Sequence, residues 1–289
     1  MAAPLIENVS DTAFWVAHHR GLEGNRPDAL FRDPLALRLA GERGRQIAQS
    51  MPHGPMTGWV MAIRTCIIDD YVSAAVADGA DTVLNLGAGL DTRPYRMELP
   101  TSLTWIEVDY PAVIDFKEAS SRPRRRAASS SASGSISPTR PCAARCSRAS
   151  MRAPAGWLVL TEGVVPYLTV DQVGSLADDL KALGHVRWWI VDYFAPQVLD
   201  MRRRQMGKKM QNAPFKFDPP DWRGFFETHG WRCNEMRYLA DEAQRLRRKM
   251  PLPLSAKIFL SVRQLLVSGK RRQEFGKAAG YALLQPMRA

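Results

Sequence analysis

VLNLGAGLDTRPYR, residues 83–96, carries an apolar run straight into a glycine turn and an Asp-Thr-Arg cluster. Val83, Leu84 and Leu86 read as a strand of a parallel sheet, buried on both faces. Gly87 and Gly89 let the backbone turn sharply and approach a ligand where a Cβ would collide. The spacing is G-x-G-x-x, but the third glycine is missing and Asp91, Thr92 and Arg93 follow. A pyrophosphate-binding loop needs that glycine and bare backbone N–H groups. An acidic residue two positions past Gly89 points instead to a cationic or hydroxyl-rich ligand. A tight turn without a ligand has the same spacing, so the surrounding chain must decide.

Working outward, helix and strand patterns alternate. Residues 10–20 begin with an N-cap signal at Ser10, and 56–78 form a long helix candidate with Met61, Ile68, Tyr71 and Val72 on one face. After strand 82–86 come strands at 103–110, from 157, and at 185–194. Helices open at 111 and run over 169–183, the latter capped by Thr169. A helix near 219–229, a strand at 231–236 and the apolar stretch GYALLQP close the pattern. This order predicts an α/β fold with a doubly wound, mostly parallel sheet. In such sheets ligands bind beyond the carboxyl ends of the strands, at a topological switch point. Residues 87–93, Asp109, Glu162 and Asp192 all fall there.

Asp109 ends its strand about 20 residues after the glycine turn, where a carboxylate can accept from both hydroxyls of a ribose. Glu107 lies on the same strand face and is the alternative; a helix cap before Pro111 is the plain structural role for Asp109.

Together NLGAGLDTRPYR, WIEVDYPAVIDFK and LVLTEGVVPYL resemble the leucine carboxyl methyltransferase-like family of S-adenosylmethionine-dependent O-methyltransferases, in its actinobacterial branch. The likeness extends through RDPLALRLAG and AIRTCIIDDYV upstream, and DWRGFFETHGW and GYALLQP downstream. It implies the class I methyltransferase fold, with N-terminal helices and a C-terminal helical cover, and S-adenosyl-L-methionine as cofactor. The cofactor-binding set it implies is Arg64, Gly87, Ala88, Gly89, Asp91, Asp109 and Glu162. Of these, Asp109 would hold the ribose, Glu162 the α-amino group, and Arg64 the cofactor carboxylate, which suits a bidentate guanidinium. Arg32 would be a second basic contact, and Asp91 would orient the loop or pair with Arg93. The expected layout is one domain: helical cover over 1–78, cofactor-binding core over 79–194, helical cover and final strands over 195–289.

Residues 119–155 break the pattern. They have no helical or alternating period, and Ser, Arg, Pro and Ala dominate. The family's adenine-contacting Asp would fall near Ser135–Ser137, where Ile136 cannot accept a hydrogen bond. Reading Gly134–Met151 one base earlier, with G or C at third codon positions, permits LDLADAALRRALLARVD. A pair of compensating frameshifts is therefore the expectation, with a basic linker as the alternative. On either account a strand and its helix would be lost and a neighbouring strand left unpaired.

That segment also holds eight arginines and no acidic residue; removing those eight from the net charge of +11 leaves +3. The basic character is therefore local, and without interleaved aromatics it does not indicate nucleic acid. With 289 residues and 45% apolar content, one α/β domain with additions is expected. Cys66, Cys142, Cys146 and Cys233 show no disulfide framework, and the Cys142–Cys146 spacing, which could suggest metal, is followed by no second ligand pair, so no metal is expected. The first twenty residues lack signal-peptide features, so a cytoplasmic protein without a membrane partner is expected.

A carboxylate acceptor needs no base; a hydroxyl acceptor does, with His18, His19, Tyr167 and Tyr193 as candidates and no catalytic residue singled out. Trp15, Met201, Met206, Phe215 and Phe217 suit an apolar acceptor. A small molecule is the expected acceptor, and a protein carboxyl terminus the second. The rival activities are a nicotinamide-dependent oxidoreductase and an impaired product of a damaged gene.

Overall fold

The structure, a computed structural model, describes residues 6, 9–121, 129–132, 156–206, 212–251 and 276–287. Helices α1 (Asp11–Gly24), α2 (Pro34–Ser50) and α3 (Gly54–Ala77) precede strand β1 (Thr82–Leu86). A short helix α4 (Arg93–Arg96), β2 (Thr104–Val108), α5 (Pro111–Ser121) and β3 (Ser129–Ala132) follow. After β4 (Trp157–Leu160) come α6 (Val170–Ala182), β5 (Val186–Phe194), α7 (Pro196–Met206) and α8 (Trp222–Thr228). Strand β6 (Trp231–Tyr238), α9 (Leu239–Arg245) and β7 (Ala279–Pro286) complete the described chain.

Seven strands form one sheet in the order β3-β2-β1-β4-β5-β7-β6, parallel except for β7, which runs antiparallel to both neighbours. The doubly wound, mostly parallel expectation therefore holds. The chain winds outward from β1 to β3, then returns to β4 on the other side of β1. That reversal is the switch point at which a ligand crevice opens. Leu86 pairs with Val108, and Leu160 with Ile190. The register thus sets Gly87 beside Asp109, and Glu162 beside Asp192.

All five β1 residues are buried, and the pleat sends alternate side chains to opposite faces. Val83, Trp105, Leu158 and Trp188 pack with Ile63, Ile67 and Tyr71 of α3. Leu84, Ile106, Val159 and Trp189 pack with Val173 and Ala177 of α6 and Phe226 of α8. Both faces are covered, so the apolar runs had to be continuous rather than alternating.

Two sequence expectations need correction. Ser10 stands at the N-cap position of α1 but makes no capping bond through its side chain. Thr169 does cap its helix, in a reciprocal capping box with Gln172. More consequentially, β2 is not left unpaired: Ser129–Ala132 pair with Thr104–Glu107 in parallel register. A sheet ladder is made of backbone groups, so a composition poor in strand formers still supplies an edge. Residues 134–151, where a frameshift is the expectation, lie outside the described residues with Ile136, Cys142 and Cys146, as do the eight arginines of the basic segment. Among the described residues no helix is long and apolar enough to cross a membrane.

Candidate functional site

The glycine turn is tied down by its own N–H groups. Gly87 and Ala88 donate to the Val108 carbonyl at 2.7 and 3.1 Å, and Gly89 donates to Asp109 Oδ2 at 2.7 Å. With these donors engaged within the chain, the turn is not a phosphate cradle. Gly87 and Gly89 have φ of +67° and +48°, a region that favours glycine. A Cβ on Gly89 would lie 3.0 Å from the Ala13 Cβ, so α1 presses directly on the turn.

Asp109 is 7% exposed. Its other oxygen accepts from the Tyr110 N–H at 2.7 Å, and each oxygen keeps a lone pair for a ligand. Burial raises its pKa, against the two N–H donors and Lys117. Glu107 is excluded from the cleft: its carboxylate is buried on Lys117 Nζ at 2.7 Å. Of the two acidic residues on this strand, only Asp109 borders the cleft.

Glu162 follows β4 and is gripped from two sides. Arg64 Nε donates to Oε1 at 2.5 Å and Arg93 Nη1 to Oε2 at 2.6 Å. Burial pushes its carboxyl up, but the two guanidinium groups outweigh this and hold it below the usual range. Asp91 plays both roles that the sequence left open. Its Oδ1 accepts from the Arg93 N–H at 2.9 Å, fixing the loop, and its Oδ2 pairs with Arg93 Nη1 at 3.0 Å. Burial opposes ionisation of Asp91, and Arg93, Arg20 and Lys117 overcome it. Arg93 also reaches Asp69 on α3 at 2.8 Å, and Asp69 takes both ends of Arg96 at 2.7 Å. Among the described residues Arg64 Nη1 meets the Met61 sulfur, at 3.8 Å, so its guanidinium retains donors for a ligand carboxylate.

These groups open on a cleft of about 920 Å³ over the strand ends, bordered by all seven residues of the expected set. Its walls also carry apolar and aromatic side chains, among them Trp15, Met56, Val60, Tyr167, Phe194 and Phe215. Tyr167 stacks on Phe215 with centroids 5.1 Å apart. Lys216 and His53 are exposed at its edge. Trp15, Met201 and Phe215 thus border the cleft, whereas Phe217 sits in the core beside Phe226. The Met206 side chain lies outside the described residues.

Other expected positions move. Arg32 is exposed and donates to the Gly24 carbonyl at 3.0 Å, away from the cleft. Arg20 is the second arginine on the cleft, fixed by Asp33 at 3.1 Å and the Leu90 carbonyl at 2.5 Å. His18 and His19 do not border it; burial drives the His19 pKa down to about 4. Tyr193 faces a separate, smaller cavity. Sequence reasoning did not single out Arg20, Tyr110 or the hub role of Arg93. Tyr110 had a signal: a large aromatic directly after a strand-end acid, here 48% exposed on the cleft. Arg93 lay in the motif, but its partners Asp69 and Glu162 are brought to it only by the fold.

Comparison with known proteins finds the same family over much of the chain. The model of the leucine carboxyl methyltransferase family matches residues 13–181, which include every residue of the expected set. A relative from Mycobacterium avium, named for S-adenosyl-L-methionine-dependent methyl transfer, is 30% identical over 281 residues, covering 87% of this chain and 88% of its own. One of the same description from Mycobacteroides abscessus is 29% identical over 264 residues, covering 78% and 85%. A crystal structure of a Thermobifida fusca protein described as a methyltransferase superposes with a TM-score of 0.54 at 14% identity, over 96% of this chain and 94% of that one. This last likeness speaks for the fold alone.

Proposed function

Because this chain belongs to the leucine carboxyl methyltransferase family and is an S-adenosylmethionine-dependent methyltransferase, we propose that it methylates a carboxylate oxygen of an acceptor with an apolar body. The cleft suits the cofactor by the chemistry of its donors. Asp109 offers acceptors to the ribose hydroxyls, Glu162 an acceptor to the α-amino group, and Arg64 donors to the carboxylate. Tyr110 offers an aromatic face to the base. The engaged N–H groups of the glycine turn argue against a dinucleotide pyrophosphate, and hence against the oxidoreductase reading.

When bound, the cofactor supplies a methyl group on a sulfonium. A carboxylate oxygen held in the cleft would already carry the electron pair needed to accept that methyl. No proton moves, so the chain needs only to position the acceptor and exclude water. One observation carries the choice of a carboxylate. The four carboxylates on the cleft, Asp91, Asp109, Glu162 and Asp192, each already accept from protein donors. Lys216 at the edge adds attraction for an acid.

A hydroxyl acceptor is the second reading. Asp192 favours it, because burial lifts its pKa to about 6, closer to that of a working general base. The two readings separate on the product. Incubation with methyl-labelled S-adenosylmethionine and an acid library, followed by mild base, releases labelled methanol from an ester and leaves an ether intact. Base-stable label would overturn the carboxylate reading. Small-molecule acids fit the enclosed cleft better than a folded protein does, and cytoplasmic action fits the cofactor's supply.

A further inference from the structure

A second cavity of about 300 Å³ adjoins the cleft and shares Pro166, Asp192 and Phe194 with it as common walls. Most of its walls belong to β5, β6 and the segment leading into α8, beyond residues 13–181. Three rings meet there. Tyr193 lies with its centroid 5.5 Å from Trp222 at 89°, and 6.0 Å from Tyr238 at 75°. All three rings border the cavity, and an aromatic face attracts an organic cation through its quadrupole. Asp192, Asp218 and Asp221 line the walls against one guanidinium, Arg223; Asp192 already accepts from the Gly163 N–H and Asp221 from the Arg223 and Gly224 N–H groups, bonds that leave a carboxylate its charge. Pro166, Pro196, Pro219 and Pro220 stiffen the frame, so little freedom is lost when a guest enters.

We propose that this cavity is a subsite for an alkylammonium group, and that it receives the cationic end of the methyl acceptor. Aromatic faces alone would take any apolar group; the surplus of carboxylates selects a positive one. The shared wall of Pro166, Asp192 and Phe194 sets it against the cleft, beside the Glu162 and Arg64 end. Arg223 limits affinity, since its own charge stands at the same cavity.

Calorimetric titration of the full chain with tetramethylammonium tests the subsite, in the presence of saturating S-adenosylhomocysteine. Saturable binding is expected, weakened about three- to fivefold by Tyr238→Leu and tightened about two- to threefold by Arg223→Ala. Binding that disappears when S-adenosylhomocysteine is added would put the cation in the cofactor cleft and overturn the proposal. So would absent binding, or affinities indifferent to both substitutions in variants whose thermal unfolding matches the parent. The acceptor role rests on the methyl-transfer reading and has its own arm. The enzyme is offered 8-aminooctanoate and octanoate with methyl-labelled S-adenosylmethionine. Preference for the amino acid, lost in Tyr238→Leu, supports the role; equal labelling, or no labelling of the amine, overturns it while the titration still decides the subsite.

Discussion

Arg93 Nη1 lies 2.6 Å from Glu162 Oε2 and 3.0 Å from Asp91 Oδ2, so one guanidinium nitrogen joins the end of β4 to the glycine turn. Its Nε holds Asp69 on α3 at 2.8 Å, which brings the helical cover into the same knot. Arg93 is fully buried. A buried charge with three carboxylate partners is a point where one substitution strands several others.

Arg93→Met is expected to lower unfolding stability by about 3–5 kcal/mol, because buried carboxylates lose their shared partner. Arg93→Lys should recover only part of this, since an ammonium lacks the planar fork that reaches Asp69, Asp91 and Glu162 together. Urea unfolding of both variants checks the order. Equal stability of parent and Arg93→Met would show that the knot contributes nothing.

Asp109→Asn should weaken binding of S-adenosylhomocysteine about 10- to 100-fold, the loss of charge-assisted hydrogen bonds worth roughly 1.5–3 kcal/mol. The fold should survive, because an amide oxygen still accepts from the Gly89 N–H. Calorimetric titration and thermal unfolding on the same sample separate the two effects. An unchanged affinity would remove Asp109 from the cofactor site.

What the sequence disclosed was what lies close along the chain. The β1 turn, the strand-end position of Asp109 and the Thr169 cap each depend on a few adjacent residues, and each is found where expected. Asp109 could be preferred over Glu107 from its place nearer the strand end, but the physical reason, Lys117 arriving from α5 to hold Glu107, is not local. Asp33 shows the same limit. It caps α2 through Ala36, yet it also accepts from Arg20 on α1 and from Thr92 in the loop after β1. No local pattern carries those three roles. The insertion of β7 between β5 and β6 is likewise a non-local pairing. The β3 edge was missed for the opposite reason: composition spoke against a strand that backbone bonding alone sustains.

Gly89→Ala should be destabilising twice over. The positive φ costs about 1 kcal/mol for a residue with a Cβ, and the new methyl lands 3.0 Å from Ala13. The second part is separable. Ala13→Gly removes the contact but not the backbone strain, and adds a helix cost of its own of about 1 kcal/mol, so the loss on Gly89→Ala should be smaller in an Ala13→Gly background than in the parent. An equal loss in both backgrounds would mean that α1 does not press on the turn.

Asp192 sets a pH dependence opposite to that of its neighbours. Burial is the main cause of its raised pKa, about 6, opposed by Arg64, the Gly163 N–H and the Tyr281 hydroxyl and aided by the Glu162 charge. An unfolded aspartate titrates near 3.9, so between about pH 4 and 6 the folded chain binds the extra proton. The contribution of Asp192 to stability is therefore fully present below pH 4 and is lost as pH rises through 6, an amount of roughly 2–3 kcal/mol. Asp91 and Glu162, whose carboxyls are held low, act in the other direction and lose their contribution only as pH falls below the ordinary carboxylate range. The two windows separate the groups. Asp192→Asn keeps an oxygen for the Gly163 N–H and cannot ionise, so its stability should fall less than the parent's between pH 4 and 7. Urea midpoints at half-unit steps across that range give the comparison, and parallel profiles for parent and variant would show that Asp192 ionises as freely in the fold as outside it.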